Sequence, residues 1–345
     1  MNRGLFLIAI ALPVALTSEA TARDRRFPQG NIAIAARAIN TLGLEILRAS
    51  FDPDSNAVLS PYSIQLASAM VYAGAEGETR SEMATTLHYP GEESLVHRSF
   101  GEMTKALEEL AVRTAERAKQ VQRGRNRPAD PIALTVANRL YGQKGHPFRG
   151  PFLAMLKDIY QAPFAQVNFI ENAAGVTREI NDWVAKRTGQ RIRDLIKPGT
   201  LDALTRLVVV NAIYLKAPWK NVFQASATKP LPFEVSGQPI DVPTMTRRAS
   251  FGYQKHTEFV VVTIPYSDPD LQFLILLPEN GVNLRDLERR MTSDLLVEVG
   301  QAPSSRLVLY VPKFKLEPTT LDLRGTLSSL GMESAFEGRG WSVRA

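Results

Sequence analysis

The hydrophobic pattern changes period once along this chain, and that change limits the fold more than any other feature. Up to Ile196 the apolar residues recur mainly at helical spacing; from Leu207 onward they run together or alternate as strands do. Asn31 to Arg48 sets Ile32, Ala35, Ile39, Leu42, Ile46 and Leu47 at helical intervals. Ser94 to Gln120 does the same with Phe100, Met103, Leu107, Leu110 and Ala111, and Val176 to Ile196 with Ile180, Trp183, Val184 and Ile192, until Lys197-Pro198-Gly199 stops it. One strand, Leu134 to Tyr141, lies among these helices. Leu207 to Leu215 is then almost continuously apolar, the mark of a strand covered on both faces. Phe259 to Ile264 and Leu271 to Leu277 read as a strand pair joined through Ser267-Asp268-Pro269-Asp270, and Arg306 to Val311 with Lys313 to Leu316 as another strand dented by Pro312. Helices first and strands later make the fold class α+β rather than a βαβ alternation.

The N-terminus has its own grammar. Arg3 precedes a short apolar run from Leu5 to Leu16, and Ala20-Thr21-Ala22 is a small-x-small cleavage site. Together they read as a secretory signal peptide over residues 1–22. The run is short for a bilayer span and Pro13 interrupts it. The mature chain, residues 23–345, is expected as a single domain, secreted to the medium or the periplasm. With no cysteine in the sequence, its stability in an oxidising compartment must come from core burial. The net charge of +6 favours anionic surfaces without naming one, and neither nucleic acid nor membrane is expected as a partner.

Residues for catalysis are missing. His88, His97, His146 and His256 form no His-x-x-x-His pair, and lone histidines with charged neighbours read as surface residues. No Gly-x-Ser-x-Gly elbow, phosphate-cradling loop or dinucleotide fingerprint occurs. Asp52 to Ser63 opens like a calcium loop but has Ala57 and Ser63 where Gly and Glu are needed, so its start is a turn. No enzyme, cofactor or metal is expected. Arg113, Arg117, Lys119, Arg123, Arg125 and Arg127 form a candidate polyanion patch. Its plainer reading is a solvated face, interrupted by Glu108, Glu109 and Glu116.

Several segments resemble one family, the serpins, in family order. Asn56-Ala-Val-Leu-Ser-Pro-Tyr-Ser-Ile64 is similar to the family's strand-to-helix entry, and Gly74-Ala-Glu-Gly-Glu-Thr79 to the turn after that helix. Leu134-Thr-Val-Ala-Asn-Arg-Leu-Tyr-Gly142 resembles a strand of the large sheet, and Ile180 to Thr188 with Ile192 to Ile196 the helix across it. Leu207 to Trp219 resembles its central strand. Leu271 to Pro278, Tyr310 to Glu317 and Leu330 to Phe336 continue the series.

The resemblance implies helices packed on a large central sheet with smaller sheets beside it. It also implies inhibition of serine, or sometimes cysteine, proteases: a cleaved loop inserts as a new strand and distorts the trapped protease. It assigns Ser60, Ser63 and Asn211 to the shutter that controls sheet opening, and Trp219 to the breach where insertion begins. One part of the pattern is missing. Phe336 is followed by Glu337 to Ala345, and no hinge-like run of Glu, Gly-Thr and alanines occurs, so no reactive centre is named. The expected product is a serpin domain incomplete at its C-terminus, inactive as an inhibitor unless the missing segment is supplied. The alternative is a non-inhibitory remnant or polyanion binder. An unpaired Leu207 to Leu215 edge is expected to favour self-association, with Leu274 and Leu276 left partly uncovered.

Overall fold

The computed structural model describes residues 6–8, 30–51, 56–124, 132–235, 237–316 and 321–336. In chain order the elements are β1 (Phe6–Ile8), α1 (Gly30–Ser50), α2 (Pro61–Tyr72), α3 (Gly77–Thr86), α4 (Glu93–Gly124), β2 (Ala133–Gln143), α5 (Gly150–Asp158), β3 (Phe164–Val167), α6 (Phe169–Arg187) and β4 (Leu207–Lys216). They continue as β5 (Lys229–Val235), β6 (Gln238–Lys255), β7 (Phe259–Pro265), β8 (Gln272–Pro278), α7 (Leu284–Arg290), α8 (Ser293–Val299), β9 (Ser304–Pro312) and α9 (Leu323–Ser329). Two compact units form. One holds β1, Gly43–Ser60 and Ala217–Asp322; the other holds Gly30–Leu42, Pro61–Lys216 and the segment from Leu323. Apart from β1, the expected signal peptide lies outside the described residues, as do residues 52–55 and 337–345.

In the helix-rich unit, α2 begins where Pro61 follows Ser60, a position at which the proline's missing N–H costs nothing. The helix buries Leu66, Ala69 and Met70 together with one polar residue, Gln65. The Gln65 amide donates to the carbonyls of Ala38 and Leu87, both at 3.0 Å, while its main-chain carbonyl accepts the Tyr89 hydroxyl. The side-chain nitrogen thus ties α2 to two other segments, while Gln65 Oε1 is buried with no hydrogen-bond partner among the described residues.

The sheet of this unit runs β3-β2-β4. Strand β2 is parallel to β3 and antiparallel to β4, in register from Ala133 opposite Lys216 to Gly142 opposite Leu207. Among the described residues, β4 pairs along one edge only. Helix α6 lays Phe169, Val176, Ile180 and Val184 against Ala137, Tyr141, Val210 and Ala212 of the sheet.

Two expectations change here. The helix starts at Phe169 because Asn168 caps it, accepting the Glu171 N–H at 3.2 Å, and Gln143 Oε1 accepts the Phe169 N–H at 2.7 Å. It ends at Arg187 and not at Ile196. Gly189 and Gln190 take positive φ of 59° and 66° and turn the chain away. Ile192 and Ile196 still pack on the same core, but as a loop, which Asn181 clamps by bonding both the N–H and the carbonyl of Ile196 at 2.9 Å. Strand β4 also differs from the fully covered strand expected: only Val210 and Ala212 are buried, and its other apolar residues are half-buried.

The strand-rich unit is a sheet in the order β1-β8-β7-β6-β5, with β9 also paired to β6. Its 18-residue β6 serves three partners in succession: β5 along Gln238–Thr244, β9 along Thr244–Gly252 and β7 along Gly252–Lys255. On one face Val261, Leu274 and Leu276 meet Leu287, Met291, Leu296 and Val299 of the α7–α8 region. The expectation that Leu274 and Leu276 stay uncovered is therefore wrong: both are completely buried under those short helices. Arg48 fixes α7 by donating to the carbonyls of Glu288, at 2.7 Å, and of Met291. At the sheet's end, Phe6–Ile8 pairs antiparallel with Leu276–Leu274.

Candidate functional site

Alternation along β2 puts Val136, Asn138 and Leu140 on one face of the strand. A lone Asn in such a row calls for partners, because a buried amide without hydrogen bonds is costly. Asn138 is buried and finds two. Its Oδ1 accepts from Asn211 Nδ2 at 2.7 Å, and its Nδ2 donates to the Tyr160 carbonyl at 3.1 Å. Asn138 and Asn211 are direct partners in the β2–β4 register, so side chains as well as main chains cross-link the two strands here. Asn211 Oδ1 is buried with no hydrogen-bond partner among the described residues.

Tyr160 continues the chain of polar contacts. It is completely buried just beyond α5, and its hydroxyl meets His97 Nδ1 of α4 at 2.6 Å. Burial pushes the Tyr160 phenol well above its usual range. It pushes the His97 imidazole down, against the pull of Glu93. His97, expected at the surface, is 2% exposed and belongs to the core. Asn138, Tyr160 and His97 were not among the expected site residues. The Asn in the apolar row of β2 is the one signal the sequence offered for them.

Of the residues assigned to a shutter, Asn211 sits in this network, Ser60 directly precedes α2 and Ser63 stands half-buried in that helix's first turn. Trp219 lies in the strand-rich unit. It forms an isolated bridge with Tyr266 and stacks on that ring, with centroids 4.5 Å apart and planes 7° from parallel. Phe223 and Phe273 meet it edge-on at 6.2 and 5.8 Å. Such a cluster fixes an indole rigidly. Burial raises the Tyr266 phenol to about 12.

Of the candidate polyanion patch, Arg113 lies in the described part of α4. The side chains of Arg117, Lys119 and Arg123 lie outside the described residues although their backbone is helical, and Arg125 and Arg127 lie outside them altogether. Among the described residues no three His, Asp or Glu side chains converge as a metal site requires, and no helix is long and apolar enough to cross a membrane.

A family model described as "Serpin (serine protease inhibitor)" matches residues 37–342. The leukocyte elastase inhibitor of Bos taurus is 33% identical over 298 residues, covering 84% of this chain and 74% of its own. Among solved structures, Cleaved Serpin 42Da superposes with a TM-score of 0.75 at 26% identity, over 87% of this chain and 77% of that one. A thyroxine-binding globulin complexed with thyroxine-fluoresein superposes with a TM-score of 0.76 at 25% identity, over 88% of this chain and 86% of that one.

Proposed function

Because the chain belongs to the serpin family, we propose that it is a protease-inhibitor body whose working part is the free edge of β4, built to accept an added strand. The single observation carrying this is the one-sided pairing of β4 among the described residues, on a strand whose other edge is fully laddered. An added strand there gains a row of main-chain hydrogen bonds, the recognition used in strand addition generally. Asn211 then acts as a shutter contact to β2 and Trp219 as a breach anchor, with Ser60 and Ser63 at the entry to α2. The family model runs through both compact units, which favours one domain.

Residues 1–345 hold no hinge-like run of Glu, Gly-Thr and alanines. We therefore expect this polypeptide to take up a strand supplied in trans and not to trap a protease unaided. The test has two arms. A synthetic Thr- and Ala-rich peptide as long as β4, 10 residues, is expected to raise the melting temperature on overnight incubation; no shift across peptide concentrations refutes strand acceptance. Incubation with trypsin-like and elastase-like serine proteases is expected to leave them active; a detergent-resistant complex refutes the expectation of inactivity and makes the chain a working inhibitor.

We read residues 1–22 as an export signal, so the secreted product begins at Arg23, which N-terminal sequencing tests. The pairing of Phe6–Ile8 with β8 implies that the precursor carries one more strand in that sheet than the processed chain. A second reading is polyanion binding. It is favoured by α4 running to Gly124, which sets Arg113 and Arg117 one turn apart on one helix. Retention on a heparin column that fades with salt supports it.

A further inference from the structure

We propose that His97 is a positioning residue for β4: its protonation, relayed through Tyr160, Asn138 and Asn211, sets how firmly the strand is held. The inference deepens the reading of β4 as a strand-accepting edge and rests on it for its functional meaning.

The relay has a direction. Asn211 Nδ2 donates to Asn138 Oδ1, and Asn138 Nδ2 donates to the Tyr160 carbonyl. Tyr160 is thus gripped at both ends, by Asn138 at its main chain and by His97 at its hydroxyl, 2.6 Å away. It is completely buried, in a tight turn where Gln161 has a φ of 50° and the Ala162 N–H returns to the Leu156 carbonyl at 3.1 Å. Complete burial leaves the ring little room to turn about its own side-chain bonds, so its displacement is passed to the turn.

The titratable and charged groups facing His97 come from four segments. Tyr160 approaches from beyond α5. Glu93, one turn earlier on α4, sets Oε1 3.5 Å from His97 Nε2. Arg80 of α3 pairs with Glu93 at 2.6 Å, and its guanidinium lies over the ring of Tyr72 of α2, which in turn lies 6.0 Å from the imidazole. The 3.5 Å contact to Glu93 favours the neutral tautomer with the proton on Nε2, in which Nδ1 accepts from the Tyr160 hydroxyl. A proton taken from solvent onto Nδ1 reverses that bond. Nδ1 becomes a donor, and the phenol must turn its own hydrogen away from the imidazole to another acceptor. A buried donor that cannot do so without rearrangement is costly, so the ring and its turn move and the Asn138 contact loosens. Burial keeps the imidazole neutral under ordinary conditions, which makes acidification the trigger.

Hydrogen exchange at the β4 amides, corrected for intrinsic rates and followed between about pH 8 and pH 5, tests this in the full chain. In the parent protein, protection of Leu207–Lys216 is expected to drop severalfold on acidification, with α6 and the β7–β8 ladder changing less. His97→Gln, which keeps polarity without titrating, and Tyr160→Phe, which keeps the ring without the hydroxyl, are each expected to remove the step. If His97→Gln does not fold, Tyr160→Phe decides alone. A step that survives in either folded variant overturns the proposal. So does an equal loss of protection across α6, which marks general loosening, or no step in the parent protein. Failure of the strand-length peptide to bind while the exchange step persists refutes strand acceptance and leaves this coupling standing.

Discussion

Asn211 and Asn138 face each other in the β2–β4 ladder, and the side-chain amide of the first donates to the side-chain carbonyl of the second at 2.7 Å. The contact holds β4 to β2 through side chains in addition to the main-chain ladder. Asn138 satisfies two groups and Asn211 one, so their removal should not cost the same. Asn211→Ala is expected to lower stability by about 1 kcal/mol and Asn138→Ala by about 1–3 kcal/mol, because the latter strands both the Tyr160 carbonyl and the Asn211 amide. Urea unfolding of both single variants and the double variant checks this. A double-variant loss equal to the sum of the singles would deny that the two residues act together.

Stability should depend on pH through His97. Burial lowers its folded-state pKa, so below the ordinary histidine range the unfolded chain binds more protons than the folded one. The contribution is therefore complete above the unfolded value, near 6.5, and is lost as pH falls from there through the lowered folded value. The melting temperature of the parent protein is expected to fall faster over that interval than that of His97→Gln. Parallel curves would locate the pH dependence elsewhere.

Trp219→Ala removes an indole stacked on Tyr266 and flanked by Phe223 and Phe273. The expected loss is about 3 kcal/mol, near the lower end for large aromatic deletions because the ring is only half-buried. Near-ultraviolet circular dichroism should lose the tryptophan signal of this stack. An unchanged spectrum would mean that the stack is not formed in solution.

Gly101 marks a close helix approach. A methyl group on it would meet Ile159 Cγ2 at 2.6 Å and the Ile159 carbonyl at 3.4 Å. Gly101→Ala is expected to cost about 1–3 kcal/mol despite alanine's better helix propensity. Trimming the partner, Ile159→Val, should recover part of that loss in a denaturation experiment. A stabilised Gly101→Ala would mean that the two segments sit further apart.

The main elements could be read from the sequence because their hydrophobic spacing is their cause. Helices α1 and α4 and the β7–β8 pair follow from periodicity, and Ser60-Pro61 marks the start of α2. What the pattern concealed has physical reasons. Ile192 and Ile196 keep helical spacing after the helix has ended, because a loop clamped by Asn181 can bury them as well as a helix can. Leu274 and Leu276 gave no sign of what would cover them, since their lids, α7 and α8, are only seven residues each. His97 reads as a surface residue in the sequence because Arg98 and nearby glutamates flank it. Its side chain instead points into the core, where Tyr160 waits 63 residues away. Of the site, Asn211 and Trp219 were legible by family resemblance, and Asn138 and Tyr160 were not, because hydrogen bonds between distant segments leave no trace in local spacing.

The three-partner strand β6 has a consequence for how the chain is made. Its first ladder, with β5, closes as soon as Gln238–Thr244 emerges, because Val235 pairs with Gln238, three residues on. Its middle ladder cannot close then, because Gly252 pairs with Ser304 and Thr244 with Pro312, at least about fifty residues further along. At synthesis rates of roughly 5–20 residues per second, that edge waits on the order of several seconds for its partner. During that interval the stretch from Thr244 to Gly252 is an open strand on a nascent polypeptide.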